Sequence, residues 1–182
     1  MKTNRTSSLL HRRKLLLALL SLIAAVTVTT SIAQQRSKHK VAGKITLTST
    51  KQEAVEVGDT EGHILSLNVM EGTGQSTGPE PFMDGDKVLD MSFFDSFKGT
   101  GATQGYTRSS TDRETVFTKN TGKSTATSTA GNPPQVTTEG KFLFISGTGQ
   151  FQGIQGGGTY KGKFIDEKIA VVEWEGEYTI KK

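Results

Sequence analysis

The chain has 182 residues, of which 22 are Lys or Arg, 18 are Asp or Glu, 21 are Gly and none is Cys. That length fits one ordinary domain with an appendage, and the lack of cysteine excludes disulfides, thiolate metal sites, a cysteine nucleophile and a lipid-bearing N-terminal cysteine. The formal charge of +4 does not mark a nucleic-acid binder: Lys2, Arg5, Arg12, Arg13 and Lys14 all precede one apolar run, and the rest of the chain carries 17 bases against 18 acids.

Residues 1–14 are basic and polar, residues 15–28 (LLLALLSLIAAVTV) are apolar, and Ser31-Ile32-Ala33 puts small residues where a signal peptidase reads. A basic n-region, a short h-region and an A-x-A-like c-region together make a secretory signal peptide. The apolar run is shorter than the roughly 20 residues a spanning helix needs. Residues 1–33 are therefore read as a signal peptide cleaved after Ala33, residues 34–40 (QQRSKHK) as a flexible lead-in, and residues 41–182 as the folded domain. This predicts an exported protein, secreted or periplasmic, with no stable membrane anchor after cleavage. Arg12-Arg13 faintly resembles a twin-arginine signal, although an ordinary n-region accounts for it equally well.

From Val41 onward no 3.6-residue apolar period is sustained, and a period of two recurs with β-branched and aromatic residues. The alternation predicts eight strands, at roughly 41–49, 62–71, 86–94, 102–110, 113–127, 135–146, 158–165 and 168–180. Turn signals separate them at Gly72-Thr73-Gly74, Asp84-Gly85, Gly99-Thr100-Gly101, Gly131-Asn132-Pro133-Pro134 and Asp166-Glu167. Residues 119–132 (KNTGKSTATSTAGN) read as an exposed hairpin or a poorly ordered loop. All the glycines lie after residue 42, and many fall within predicted strands. Glycine inside a strand marks a bend, a bulge or a close backbone approach. The prediction is all-β: a single closed antiparallel barrel, a sandwich being the other architecture this strand count fits.

The segment Ser146-Gly147-Thr148-Gly149-Gln150-Phe151-Gln152-Gly153-Ile154-Gln155-Gly156-Gly157-Gly158-Thr159-Tyr160 resembles the G-T-G-x-F-x-x-x-x-G segment of the allene oxide cyclase-like and dirigent-like (calycin-type) barrels. It is more similar still to uncharacterised secreted bacterial members of that superfamily, as are Glu61-Gly62-His63 and the Trp174-to-Tyr178 ending. The resemblance implies an eight-stranded antiparallel barrel with a central cavity, often oligomeric. It implies no activity and transfers no catalytic residue.

Alternation assigns faces. On 62–71, His63, Leu65, Leu67, Val69 and Glu71 share a mostly apolar face, which is predicted to point inward. On 168–180, Ala170, Val172, Trp174, Gly176, Tyr178 and Ile180 share one face, and Glu173, Glu175 and Glu177 form a solvated wall on the other. On 135–146 both faces carry large apolar residues, which predicts cover on the outside by another subunit or a packed N-terminal segment. Gln104, Tyr106 and Arg108 share a face of undetermined side. The candidate ligand-binding residues are therefore His63, Glu71, Tyr106, Arg108, Trp174 and Tyr178. His63 is read either as a general base or as a rim histidine bonded to a loop. It cannot form a dyad with Glu71, because eight residues of strand span about 26 Å. Tyr106 and Trp174 combine an apolar body with a polar tip, which suits orienting a ligand as well as plain packing. Arg108 is a partner for an acidic ligand or for Asp90.

Other motifs fail. Gly122-Lys123-Ser124 lacks the upstream glycine of a phosphate loop, and Phe117 occupies that position. The glycines of 147–158 lack dinucleotide spacing, Asp84-Gly85-Asp86 is a hairpin signal rather than a calcium loop, and a predicted domain with one histidine, His63, and no cysteine makes a poor zinc site. No cofactor, metal or nucleic-acid partner is expected. The functional readings are a barrel that binds a small apolar or aromatic ligand, a filled structural barrel that forms a homo-oligomer, and a cyclase- or isomerase-type enzyme acting on a lipophilic substrate.

Overall fold

The computed structural model of the protein describes residues 37–128 and 134–181. The predicted signal peptide lies outside them, as do the Gly131-Asn132-Pro133 residues of the fourth turn signal. Eight strands follow in chain order: β1 His39–Glu56, β2 His63–Ser76, β3 Lys87–Phe97, β4 Thr100–Ser110, β5 Thr115–Thr127, β6 Gln135–Gly147, β7 Ile154–Phe164 and β8 Ile169–Ile180. Each pairs antiparallel with its sequence neighbours, and β8 closes on β1. The fold is thus a closed eight-stranded antiparallel barrel, and closure leaves no free sheet edge.

The strands are longer than the alternation predicts. β1 begins at His39, inside the predicted lead-in, and runs on through the polar stretch to Glu56 past a register shift between Ser49 and Lys51. Gly72-Thr73-Gly74 is no turn; it lies within β2, where Gly72 pairs with Leu47 and Gly74 with Ile45. The first nine residues of the low-complexity segment, 119–127, are the paired second half of β5. Asp84-Gly85 does form a turn, with Gly85 at a φ of +72° and Asp84 Oδ1 accepting from the Ser76 N–H at 2.8 Å.

Glycines let aromatic rings lie flat against the inner wall. Trp174 faces Gly43 across the β8–β1 ladder, and a Cβ on Gly43 would stand 2.5 Å from the indole. Tyr160 on β7 reaches across β6 to β5, its hydroxyl 2.6 and 2.8 Å from where Cβ atoms on Gly122 and Gly140 would be. Indole atoms occupy the space of the missing side chain at Gly43, and a neighbouring strand's carbonyl together with the Tyr160 hydroxyl occupies it at Gly122 and Gly140.

One end of the barrel is plugged. The β2–β3 connection, 77–86, turns back over the opening and inserts Phe82, which is 5% exposed. Its ring lies 5.0 Å from Phe151, 5.4 Å from Tyr178, 5.6 Å from Phe144 and 5.7 Å from Trp174, centroid to centroid. The loop is tied down at several points. Thr77 and Gly78 N–H donate to Ala42 O at 2.9 and 3.1 Å. Phe82 N–H donates to Ser76 Oγ at 3.1 Å, and His39 Nδ1 meets Glu80 Oε2 at 2.7 Å.

Candidate functional site

Below the plug the barrel encloses a cavity of about 140 Å³. Its two halves differ in chemistry. β1, β6, β7 and β8 supply Ile45, Phe142, Phe144, Tyr160, Val172 and Trp174, whereas β3, β4 and β5 supply Asp90, Ser92, Thr103, Thr107, Thr118 and Asn120. Side chains alternate across each strand, so the polar set follows from one phase of three adjacent strands.

The polar wall is a connected network centred on Asp90. Ser92 Oγ donates to Asp90 Oδ1, and Thr107 Oγ1 donates to Oδ2 at 2.8 Å. Asn120 Nδ2 lies 2.7 Å from Thr107 Oγ1 and 3.4 Å from Asp90 Oδ2, while Thr118 Oγ1 donates to Asn120 Oδ1 at 3.1 Å. Burial pushes the Asp90 carboxyl above the usual carboxylate range, against the pull of the Ser92 and Thr107 hydroxyls. Near the plug, Asp86 is likewise pushed up by burial, opposed first by its bond to Ser109. Burial also raises the Tyr160 phenol. On β2, directly opposite Ser92, the buried Asn68 leaves its Oδ1 without a partner. Such a group bears a desolvation cost of about 1–3 kcal/mol unless something bonds to it.

The structure separates the six sequence candidates. Trp174 lines the cavity. Tyr178 belongs to the plugged end, packed on Phe82, Phe144 and Phe151 and stacked on His39 at 4.8 Å. The other four point outward. The inward reading of the His63–Glu71 face is therefore overturned: Leu65 is 49% exposed, while the intervening Asn68 and Met70 are buried. Glu71 is exposed with that face. Tyr106 is 47% exposed on the outside, and Arg108 shares its phase. Arg108 cannot reach Asp90: it pairs with the outward Leu89, whereas Asp90 pairs with Thr107.

His63 sits at the far rim from the plug. Its Nδ1 lies 2.7 Å from Asp59 Oδ1 and its Nε2 2.9 Å from Asp95 Oδ1, so both nitrogens face carboxylates. The Asp95 bond, then the Asp59 bond, raises the imidazole above its ordinary value and favours the doubly donating, protonated form. The rim-histidine reading describes this placement; the group ties the β1–β2 turn to β3.

Alternation misled here because the outside of β2–β4 is more apolar than the inside. Leu67 pairs with Phe93, and Val69, Met91 and Tyr106 pair in succession across β2, β3 and β4. Beyond them on β6, Leu143 is 61% exposed and Ile145 is exposed with it. No three His, Asp or Glu side chains among the described residues are grouped to hold a metal ion.

No protein-family model matches the chain, and no curated protein matches it. Among solved structures it is similar to two pterocarpan synthase dirigent proteins. One is 15% identical over 84% of this chain and 95% of that chain, with a TM-score of 0.46. The other is 14% identical over 82% and 97%, with a TM-score of 0.41. Likeness at this level concerns the barrel and assigns neither substrate nor residue role.

Proposed function

We infer that the protein is an exported barrel that binds one small, largely apolar ligand in its cavity. The observation that carries this reading is the pairing of an aromatic wall with a facing polar cluster around about 140 Å³ of space. A cavity of about 150 Å³ holds benzene, so the occupant is of single-ring size while Phe82 stays in place. A few placed polar groups in an apolar pocket are what orients such a ligand.

Native mass spectrometry of the mature protein tests this reading. An extra mass that leaves on denaturation is the expected result, and a clean protein mass at every ligand concentration tried overturns it. The filled-scaffold reading draws support from Leu65, Phe93, Tyr106 and Leu143, all exposed on the outer surface, which suits cover by a second copy. Tyr106→Lys would then lower the native mass without unfolding the barrel. The cyclase- or isomerase-type reading draws support from Asp90, a cavity-wall carboxyl held toward its protonated form as a general acid must be. Turnover lost in Asp90→Asn with binding retained would favour it.

A further inference from the structure

We propose that the cavity selects a protonated amine, a single-ring or similarly compact ammonium ligand whose cation meets Asp90 and whose body lies against Trp174 and Phe142. The proposal rests on the reading of the cavity as a ligand site and names the ligand's charge. Three observations carry it.

The first is the sign of the wall. Two carboxyl groups, Asp86 and Asp90, line the cavity, and no Lys, Arg or His among the described residues lines it with them. An anionic ligand would enter against these carboxylates with no cation to receive it.

The second is how Asp90 is bonded. Ser92 Oγ lies against its Oδ1, and Thr107 Oγ1 and Asn120 Nδ2 lie against its Oδ2. All three partners are neutral, so none of them offsets the charge of the ionised carboxylate. Burial of that uncompensated charge is what raises the carboxyl, and a bound cation would supply the missing counter-charge.

The third is the opposite wall. Trp174, Phe142 and Phe144 present aromatic rings to the same space. Aromatic faces attract an organic cation while still burying its apolar part. A carboxylate and aromatic faces around one compact cavity together favour an ammonium over a neutral alcohol of the same shape.

The test compares benzylamine, benzyl alcohol and benzoate by calorimetry and ligand-observed NMR at neutral pH, using the full chain expressed with its own leader. Benzylamine is expected to bind at least tenfold more tightly than benzyl alcohol, and benzoate least. In Asp90→Asn that ratio should fall to near one. Equal or tighter binding of benzyl alcohol by the wild type overturns the proposal and leaves the ligand-binding reading standing. Failure of all three probes to bind a protein with intact near-ultraviolet dichroism overturns both. An amine preference that survives Asp90→Asn places the cation elsewhere, at Asp86 or at the outer Glu173, Glu175 and Glu177, and also overturns the proposal. If Asp90→Asn does not fold, Asp90→Ser takes its place, and the wild-type amine-to-alcohol ratio decides independently of either variant.

Discussion

Phe82→Ala is the sharpest test of how the barrel is closed. Phe82 is not on a strand. It belongs to the 77–86 connection, yet it is as buried as the strand-borne core and touches four other rings. Removing a buried phenyl group costs about 3–5 kcal/mol, with the spread set by how far the surroundings collapse. Here collapse is limited, because Phe144, Tyr178 and Trp174 are fixed on β6 and β8, while the loop itself is held to Ala42 and Ser76 by backbone bonds. The upper half of that range, roughly 4–5 kcal/mol, is expected. With a urea slope of about 2 kcal/mol/M, the midpoint should fall by roughly 2–2.5 M and the slope should not change. Equilibrium urea unfolding followed by Trp174 fluorescence reads this directly, since Trp174 is the chain's one tryptophan and packs on Phe82. A loss below about 1 kcal/mol at unchanged slope would refute the reasoning, because a side chain that plugs a core cannot be removed so cheaply. The variant should also admit larger ligands than the wild type.

The remaining predictions concern charge and space. Because Asp90 and Asp86 have folded-state values above their unfolded ones, the folded state binds more protons between the two. Their contribution to stability is then greatest in acid, below the unfolded carboxylate range, and declines as pH rises toward and through the folded values. Asp90→Asn should remove part of that decline and be more stable than wild type at neutral pH, as read from urea midpoints across the acidic range; an unchanged pH profile would contradict the assignment. For His63 the folded value is also raised, so its contribution is fully present below the unfolded value of about 6.5 and is lost as pH climbs through the folded one. His63→Gln should flatten stability across that window without a change in cavity binding; an undiminished slope would show that the rim pair does not act. Gly140→Ala should cost about 1–3 kcal/mol by crowding first the Thr121 carbonyl and then the Tyr160 hydroxyl, with loss of near-ultraviolet tyrosine dichroism. Wild-type stability in that variant would show that neither close approach needs the glycine.

Strand positions were legible in the sequence where a period of two meets a true turn signal; β3 and β8 fall within three residues of their predicted bounds. Trp174 was legible as a cavity liner because its face on β8 is apolar against three alternating glutamates. The polar wall was not, and the cause is specific. On β2 and β3 the more hydrophobic phase (Leu65, Leu67 and Val69; Leu89, Met91 and Phe93) faces out, so choosing the inside by hydrophobicity picks the wrong phase and hides Asp90.

A different signal marks the inside. Gly43 shares a phase with Ile45, Gly74 with Met70, Gly105 with Thr103 and Thr107, Gly122 with Asn120, Gly140 with Thr138 and Phe142, and Gly176 with Trp174. In each case the partners line the cavity. The reason is geometric: in a narrow barrel, inward side chains from facing strands compete for one small volume, and large rings fit only where a neighbour has none. Outward positions carry no such limit. Outside β7, where Gly156, Gly157 and Gly158 occupy both phases, the glycine phase therefore reports the inner face even where hydrophobicity is inverted. Applied to β2, where Gly72 and Gly74 occupy the even positions, it turns Asn68 and Met70 inward and His63 and Glu71 outward. Carried by register to β3, it brings Asp90 to the cavity wall without reference to any apolar pattern.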